Sequence, residues 1–285
     1  MYCCGAPMEI LERPMAVIGN IYFQNLISYA FNDIKTRMKT NIKNIDFMVE
    51  GCILKGVLHL PETNAPPLVI GSHGLEGSKT SAKQMVLSRL LPANGVAFFR
   101  FDHRGCGDSQ GNFLTDTSLE KRTQDYIEAV RHVMDLNLTS KRLGLFGSSM
   151  GGATCINAWE SLDKLGINIC GGVLCSAPVQ SITIENIPVH ANGNRPALPL
   201  SFFEKNLLFN LLDKTVALHH VLIFHGDADE VVPVGNAHDI YTHMQSPKKK
   251  VIHTKGDHQM TSKSDQADFA RQAMDWFRGI FNPVI

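Results

Sequence analysis

A chain of 285 residues with 44% hydrophobic content suits one large α/β domain with a sizeable core. Its 27 Lys+Arg balance 27 Asp+Glu, and no basic run exceeds Lys248-Lys249-Lys250, which excludes electrostatic capture of nucleic acid. Seven cysteines without framework spacing read as buried thiols in a reducing, cytoplasmic compartment, and the histidines, which do not cluster at ligand intervals, offer no metal site.

Residues 1–37 differ in character from the rest of the chain. The stretch 15–31 is apolar but broken by Asn20, Gln24, Asn25 and Ser28, so it falls short of a membrane span, and Arg13-Pro14 is a poor opening for a signal peptide. The expectation is an N-terminal extension ahead of a natural start at Met38, or an amphipathic helix packed on the body or a partner, with the main domain over 38–285.

From Asn41 the pattern becomes regular. Segments 44–49 and 52–60 bracket Glu50-Gly51 and predict an antiparallel hairpin. Short apolar runs at 67–72, 96–101, 142–146, 170–176, 221–225 and 249–253 read as strands covered on both faces. Between and after them, 81–91, 119–136, 150–165, 234–244 and 264–281 read as helices; Tyr126, Ile127, Val130, Val133 and Met134 show the helical period. Strand-helix alternation after a leading hairpin predicts a mostly parallel sheet with helices on both faces. The glycines of 104–111 miss the dinucleotide spacing, so no nucleotide cofactor is expected.

In such sheets, function gathers in the loops at the carboxyl ends of the strands. One of them carries Gly147-Ser148-Ser149-Met150-Gly151, a Gly-x-Ser-x-Gly elbow that exposes Ser149 as a candidate nucleophile. After 67–72 comes His73-Gly74-Leu75, where the Leu75 N–H and the Met150 N–H at the helix start are candidate oxyanion donors; His73 reads as a structural support of that loop. After 221–225 come three carboxylates. Asp229 is the choice to orient a histidine, Asp227 reads as a tie within the loop, and Glu230 as solvated. After 249–253 comes Gly256-Asp257-His258, which makes His258 the candidate base; His253, His225, His238 and His243 read as strand or helix positions.

These motifs, together with Arg100-Phe101-Asp102-His103-Arg104-Gly105-Cys106-Gly107-Asp108-Ser109, resemble the α/β-hydrolase superfamily over about residues 41–281. The chain looks closest to the serine aminopeptidase and monoacylglycerol lipase-like branch and to bacterial cinnamoyl (feruloyl) esterases. The resemblance implies an α/β-hydrolase fold, the chain order Ser149, Asp229, His258 for a triad, and loop-bracing roles for Asp102 and Arg104.

The fold carries its lid where this chain has an insertion, about 179–220. Phe202, Phe203, Leu207, Leu208, Leu211 and Leu212 predict an amphipathic lid helix, and Phe202, Phe203 and Leu207 are candidate substrate-binding residues; gluing the lid to the body is the competing reading. The expected activity is hydrolysis of small or medium acyl or aryl-acyl esters through an acyl-Ser149 intermediate, with no cofactor or metal. A peptidase or amidase, which would need Glu76 or Glu204 facing the cleft, a thioesterase, and a non-catalytic binding protein are the alternatives. The expected partner is a small-molecule ester, without nucleic acid or a membrane span, and a homodimer is left open.

Overall fold

The computed structural model describes residues 41–187, 189–190 and 197–282, so the expectations for residues 1–37 lie outside the described residues. In chain order it forms β1 (Asn41–Val49), β2 (Cys52–Leu60), β3 (Leu68–Ser72), α1 (Ala82–Ala93), β4 (Ala97–Phe101), α2 (Phe113–Asp116), α3 (Leu119–Asp135), β5 (Arg142–Ser148), α4 (Met150–Lys164) and β6 (Asn168–Cys175). Then come α5 (Leu200–Asn206), β7 (Val221–Gly226), α6 (Gly235–His243), β8 (Lys248–His253) and α7 (Lys263–Phe281).

The eight strands make one sheet in the order β1-β2-β4-β3-β5-β6-β7-β8. Glu50 and Gly51 have φ of 46° and 83°, the left-handed pair a two-residue hairpin turn requires, and β1 meets β2 antiparallel from Asn41↔Leu60 to Val49↔Cys52. β2 pairs antiparallel with β4, and every later pairing is parallel. This is the mostly parallel sheet that the alternation of elements predicts and the α/β-hydrolase architecture that the resemblance implies.

The central strands are apolar throughout because both faces are covered. Leu68, Ile70, Leu143, Leu145, Val221 and Ile223 join a core with Tyr126 and Val130 of α3 and Ile156 and Trp159 of α4. Val69, Phe98, Phe146, Leu222 and Phe224 join a second with Leu87 of α1 and Phe269 and Phe277 of α7. Each such side chain contributes about 1.5–3 kcal/mol on burial. Ser118 and Ser262 cap α3 and α7 by accepting from the N–H groups of Lys121 and Asp265.

The lid departs from expectation. Its helix covers only Leu200–Asn206, because the next residues turn their backbone to a neighbouring segment: Leu211 N–H donates to Val179 O (2.8 Å), and Ser181 N–H to Phe209 O (3.0 Å). The helical spacing of the leucines is therefore met by irregular chain, with Leu207 and Leu211 buried and Leu208 exposed. The cysteines also divide: Cys106, Cys155 and Cys175 are buried, whereas Cys52 and Cys170 are half-buried, and all five are free. Burial pushes the Cys155 and Cys175 thiols up to about 12. Among the described residues no helix is long and apolar enough to cross a membrane.

α4 starts so close to β3 that a Cβ on Gly151 would lie 2.1 Å from the Ser72 carbonyl oxygen. Gly151→Ala should therefore lose about 2–3 kcal/mol or more in urea unfolding. A Cβ on Gly235, in the first turn of α6, meets nothing within 4 Å, and Gly235→Ala should gain about 0.4–1 kcal/mol in the same assay.

Candidate active site

Ser149 links β5 to α4 with φ 55° and ψ −125°, a conformation that costs a non-glycine residue about 1–3 kcal/mol. It is held there by its N–H bond to Cys175 O on β6 (2.8 Å). The Met150 N–H comes next in the first helical turn, where helix geometry supplies no acceptor.

The β7 and β8 loops bring up the other two side chains. They are packed so tightly that a Cβ on Gly226 would fall 2.0 Å from Gly256 O, and Ala228 N–H donates to that oxygen at 3.1 Å. His258 Nδ1 lies 2.9 Å from both carboxylate oxygens of Asp229, and its Nε2 lies 3.0 Å from Ser149 Oγ. An ionised carboxylate only accepts, so Nδ1 carries the proton and Nε2 is left to accept from the serine hydroxyl.

Asp229 is well prepared to stay ionised. Burial alone would raise its pKa, but hydrogen bonds from His225 and His258 and from the Val232 N–H (2.8 Å) outweigh it and hold the carboxyl well below the usual carboxylate range. His225 Nε2 sits 3.4 Å from Asp229 Oδ2 and 2.7 Å from Val232 O, so this residue at the end of β7 steadies the carboxylate. Asp227 accepts from Lys255 N–H (2.5 Å) and ties the two loops. Glu230, expected to be merely solvated, is exposed and yet accepts the His258 backbone N–H (3.1 Å). His253 turns away to Asp268 at 3.2 Å.

The β3 loop completes the site. A Cβ on Gly74 would stand 3.4 Å from Ser149 Cβ, ordinary van der Waals contact, which puts this loop directly against the serine. Gly77 N–H closes a turn on Gly74 O (3.1 Å), leaving the Leu75 N–H outside that bond. His73 is fully buried; its Nδ1 bonds Gly74 O (2.7 Å) and its Nε2 accepts the His103 N–H (3.1 Å), which fixes a neutral ring. Asp102 braces the following loop by accepting from the Lys79 N–H (2.6 Å) and ammonium, and Arg104 Nε donates to Asp125 (2.8 Å).

A cavity of about 520 Å³ opens beside Ser149. Leu75, Met150, Ile184, Ile187, Phe203, Leu207, Phe209 and Val232 give it apolar walls, while Glu76 and Lys83 are its charged members. Phe203 and Leu207 thus line it. Phe202 does not: it stacks on Phe113 (5.6 Å between centroids) and holds the lid to the body. Arg122 and Glu230 escape a reading of the sequence because an arginine in the first turn of an amphipathic helix and an acid in a polar loop both resemble solvated surface. The i, i+4 spacing of His225 and Asp229 across Gly226 is the signal that points to the role of His225.

The profile of the family described as serine aminopeptidase, S33 matches residues 63–200. The chain is 30% identical over 224 residues to YfhR of Escherichia coli (strain K12), itself described as uncharacterized, covering 78% of this chain and 74% of that protein. It is 26% identical over 219 residues to the mitochondrial palmitoyl-protein thioesterase ABHD10 of Mus musculus, covering 70% and 71% of the two. Among solved structures, Est1E from Butyrivibrio proteoclasticus with ferulic acid bound shares the fold at a TM-score of 0.71 and 22% identity, over 83% of this chain and 99% of that one.

Because Asp229 ionises more readily folded than in the unfolded chain, where Asp titrates near about 3.9, it stabilises the fold above that pH. That contribution is lost as pH falls through the lower folded value. Asp229→Asn should melt below wild type at neutral pH, with the gap narrowing below about pH 4 in thermal scans.

Proposed function

The chain is an α/β-hydrolase related to YfhR, with residues 63–200 matching the serine aminopeptidase S33 profile, and from that premise we propose that it is a serine hydrolase cleaving carboxylic esters through an acyl-Ser149 intermediate. The observation that carries the reading is the hydrogen-bonded run Ser149, His258, Asp229 opening onto the cavity. As Ser149 Oγ attacks the acyl carbon, its proton passes to His258 Nε2, and the carbonyl π electrons move onto oxygen. Asp229 stabilises the imidazolium without taking the proton.

The oxyanion faces the N–H groups of Leu75 and Met150, and removing one such donor typically costs about 3–4 kcal/mol of transition-state stabilisation. Collapse expels the alcohol, which takes the proton from His258. Water then attacks the acyl-enzyme with His258 as base, releasing the carboxylic acid and restoring Ser149.

The cavity's apolar lining and limited volume favour a small or medium acyl or aryl-acyl group. A thioester is the second reading, favoured by the likeness to a thioesterase over 71% of that protein's length. An aminopeptidase has less support: Glu76 lines the cavity but is accompanied by Lys83, and Glu204 does not line it.

Ser149→Ala should fold and lose at least about 10⁴-fold in kcat on p-nitrophenyl butyrate. Wild type should form a covalent adduct at Ser149 with a fluorophosphonate. In kcat/KM, butyrate should exceed palmitate, and esters and thioesters should exceed aminoacyl nitroanilides. Esterase activity that survives Ser149→Ala refutes the nucleophile, and preference for the nitroanilides refutes the ester reading.

A further inference from the structure

Arg122, in the first turn of α3, is 1% exposed. Its Nη2 donates to the carbonyls of His73 and of Gly74 (3.3 Å), while Nε and Nη1 reach no oxygen or nitrogen acceptor and the buried Cys106 thiol lies beside the guanidinium. No ion pair joins it to a carboxylate among the described residues; the nearby Asp125 gives its oxygens to the Arg104 N–H (3.0 Å) and Nε (2.8 Å). A buried cation spent on two backbone carbonyls is expensive unless its charge is used.

Those carbonyls belong to the loop beside Ser149. In a trans peptide the C=O and the following N–H point in opposite directions. The Gly74 oxygen is pinned from one side by Arg122, His73 Nδ1 and Gly77 N–H, so the N–H of the same peptide, that of Leu75, is turned the other way. Hydrogen bonds in series also polarise one another, so a cation on the carbonyl makes the N–H a stronger donor.

We infer that Arg122 is a positioning residue of the oxyanion hole, aiming the Leu75 N–H and strengthening it toward the oxygen that becomes negative. The inference rests on the acyl-Ser149 reading. The charge reaches this loop already: burial first, then Arg122, holds His73 and His103 well below their ordinary pKa, so both stay neutral and add no competing cation. Arg122 thus has no hydrogen-bonded carboxylate at rest, Asp125 beside it being engaged by Arg104, and the anion it is placed to favour forms during the reaction.

The test compares wild type, Arg122→Gln and Arg122→Met in kcat and KM for p-nitrophenyl butyrate and in affinity for a trifluoromethyl ketone, whose hemiketal carries an oxyanion. Arg122→Met should lose about 100-fold in kcat, the scale of a misplaced catalytic group, with KM within threefold and ketone affinity falling in parallel. Arg122→Gln, which keeps donors without the charge, should lose about tenfold. A folded variant that retains kcat and ketone affinity within twofold overturns the role, as does a loss confined to KM. Should neither variant fold, the ¹⁵N guanidinium resonance of Arg122 in wild type decides: it should move when the hemiketal forms, and no movement overturns the inference. Wild type that neither hydrolyses esters nor reacts with a fluorophosphonate sinks the acyl-enzyme reading instead.

Discussion

The backbone of Ser149 is the constraint on which the site depends. Its unfavourable φ and ψ are sustained by the bond from its N–H to Cys175 O and by contacts that only glycines permit, Gly151 against the Ser72 carbonyl and Gly147 against the Gly151 carbonyl. Three elements therefore converge on one peptide: β6 holds it, β3 passes over it and α4 begins from it. The strain stays because the sheet overdetermines the turn, and it leaves the hydroxyl at the floor of the cavity.

Around that point the protein separates charge. The β7 loop contributes Asp227, Asp229 and Glu230, all accepting hydrogen bonds from the β8 loop that draw the histidine inward. Behind the β3 loop lie Arg122 and Arg104, with Asp125 between them and His73 and His103 neutral. On the proposed mechanism the proton travels toward the carboxylates as negative charge grows toward the cations. The framework is polarised before substrate arrives, so little of it has to reorganise during the reaction.

The sheet was legible in the sequence because each central strand is apolar on both faces and each is closed by a turn rich in glycine or acid. The hairpin announced itself through Glu50-Gly51. The lid was not legible in the same way: leucines at helical intervals are equally compatible with chain pinned by Val179 and Ser181, and the partner that decides is distant in sequence. Phe202 and Phe203 are neighbours pointing at different things, one at Phe113 and the other at the cavity, which no one-dimensional pattern separates. Arg122 and Glu230 owe their positions to backbone groups, and backbone partners leave no mark in side-chain spacing.

His258 stands 109 residues beyond Ser149 and reaches it on the loop that follows β8 and packs against the loop after β7. During synthesis the elbow emerges well before the residue that would activate it. On the acyl-enzyme reading, a chain interrupted anywhere ahead of residue 258 carries a nucleophile with nothing to take its proton. On that reading hydrolysis waits until β8, the edge strand of the sheet, and the loop that follows it are in place.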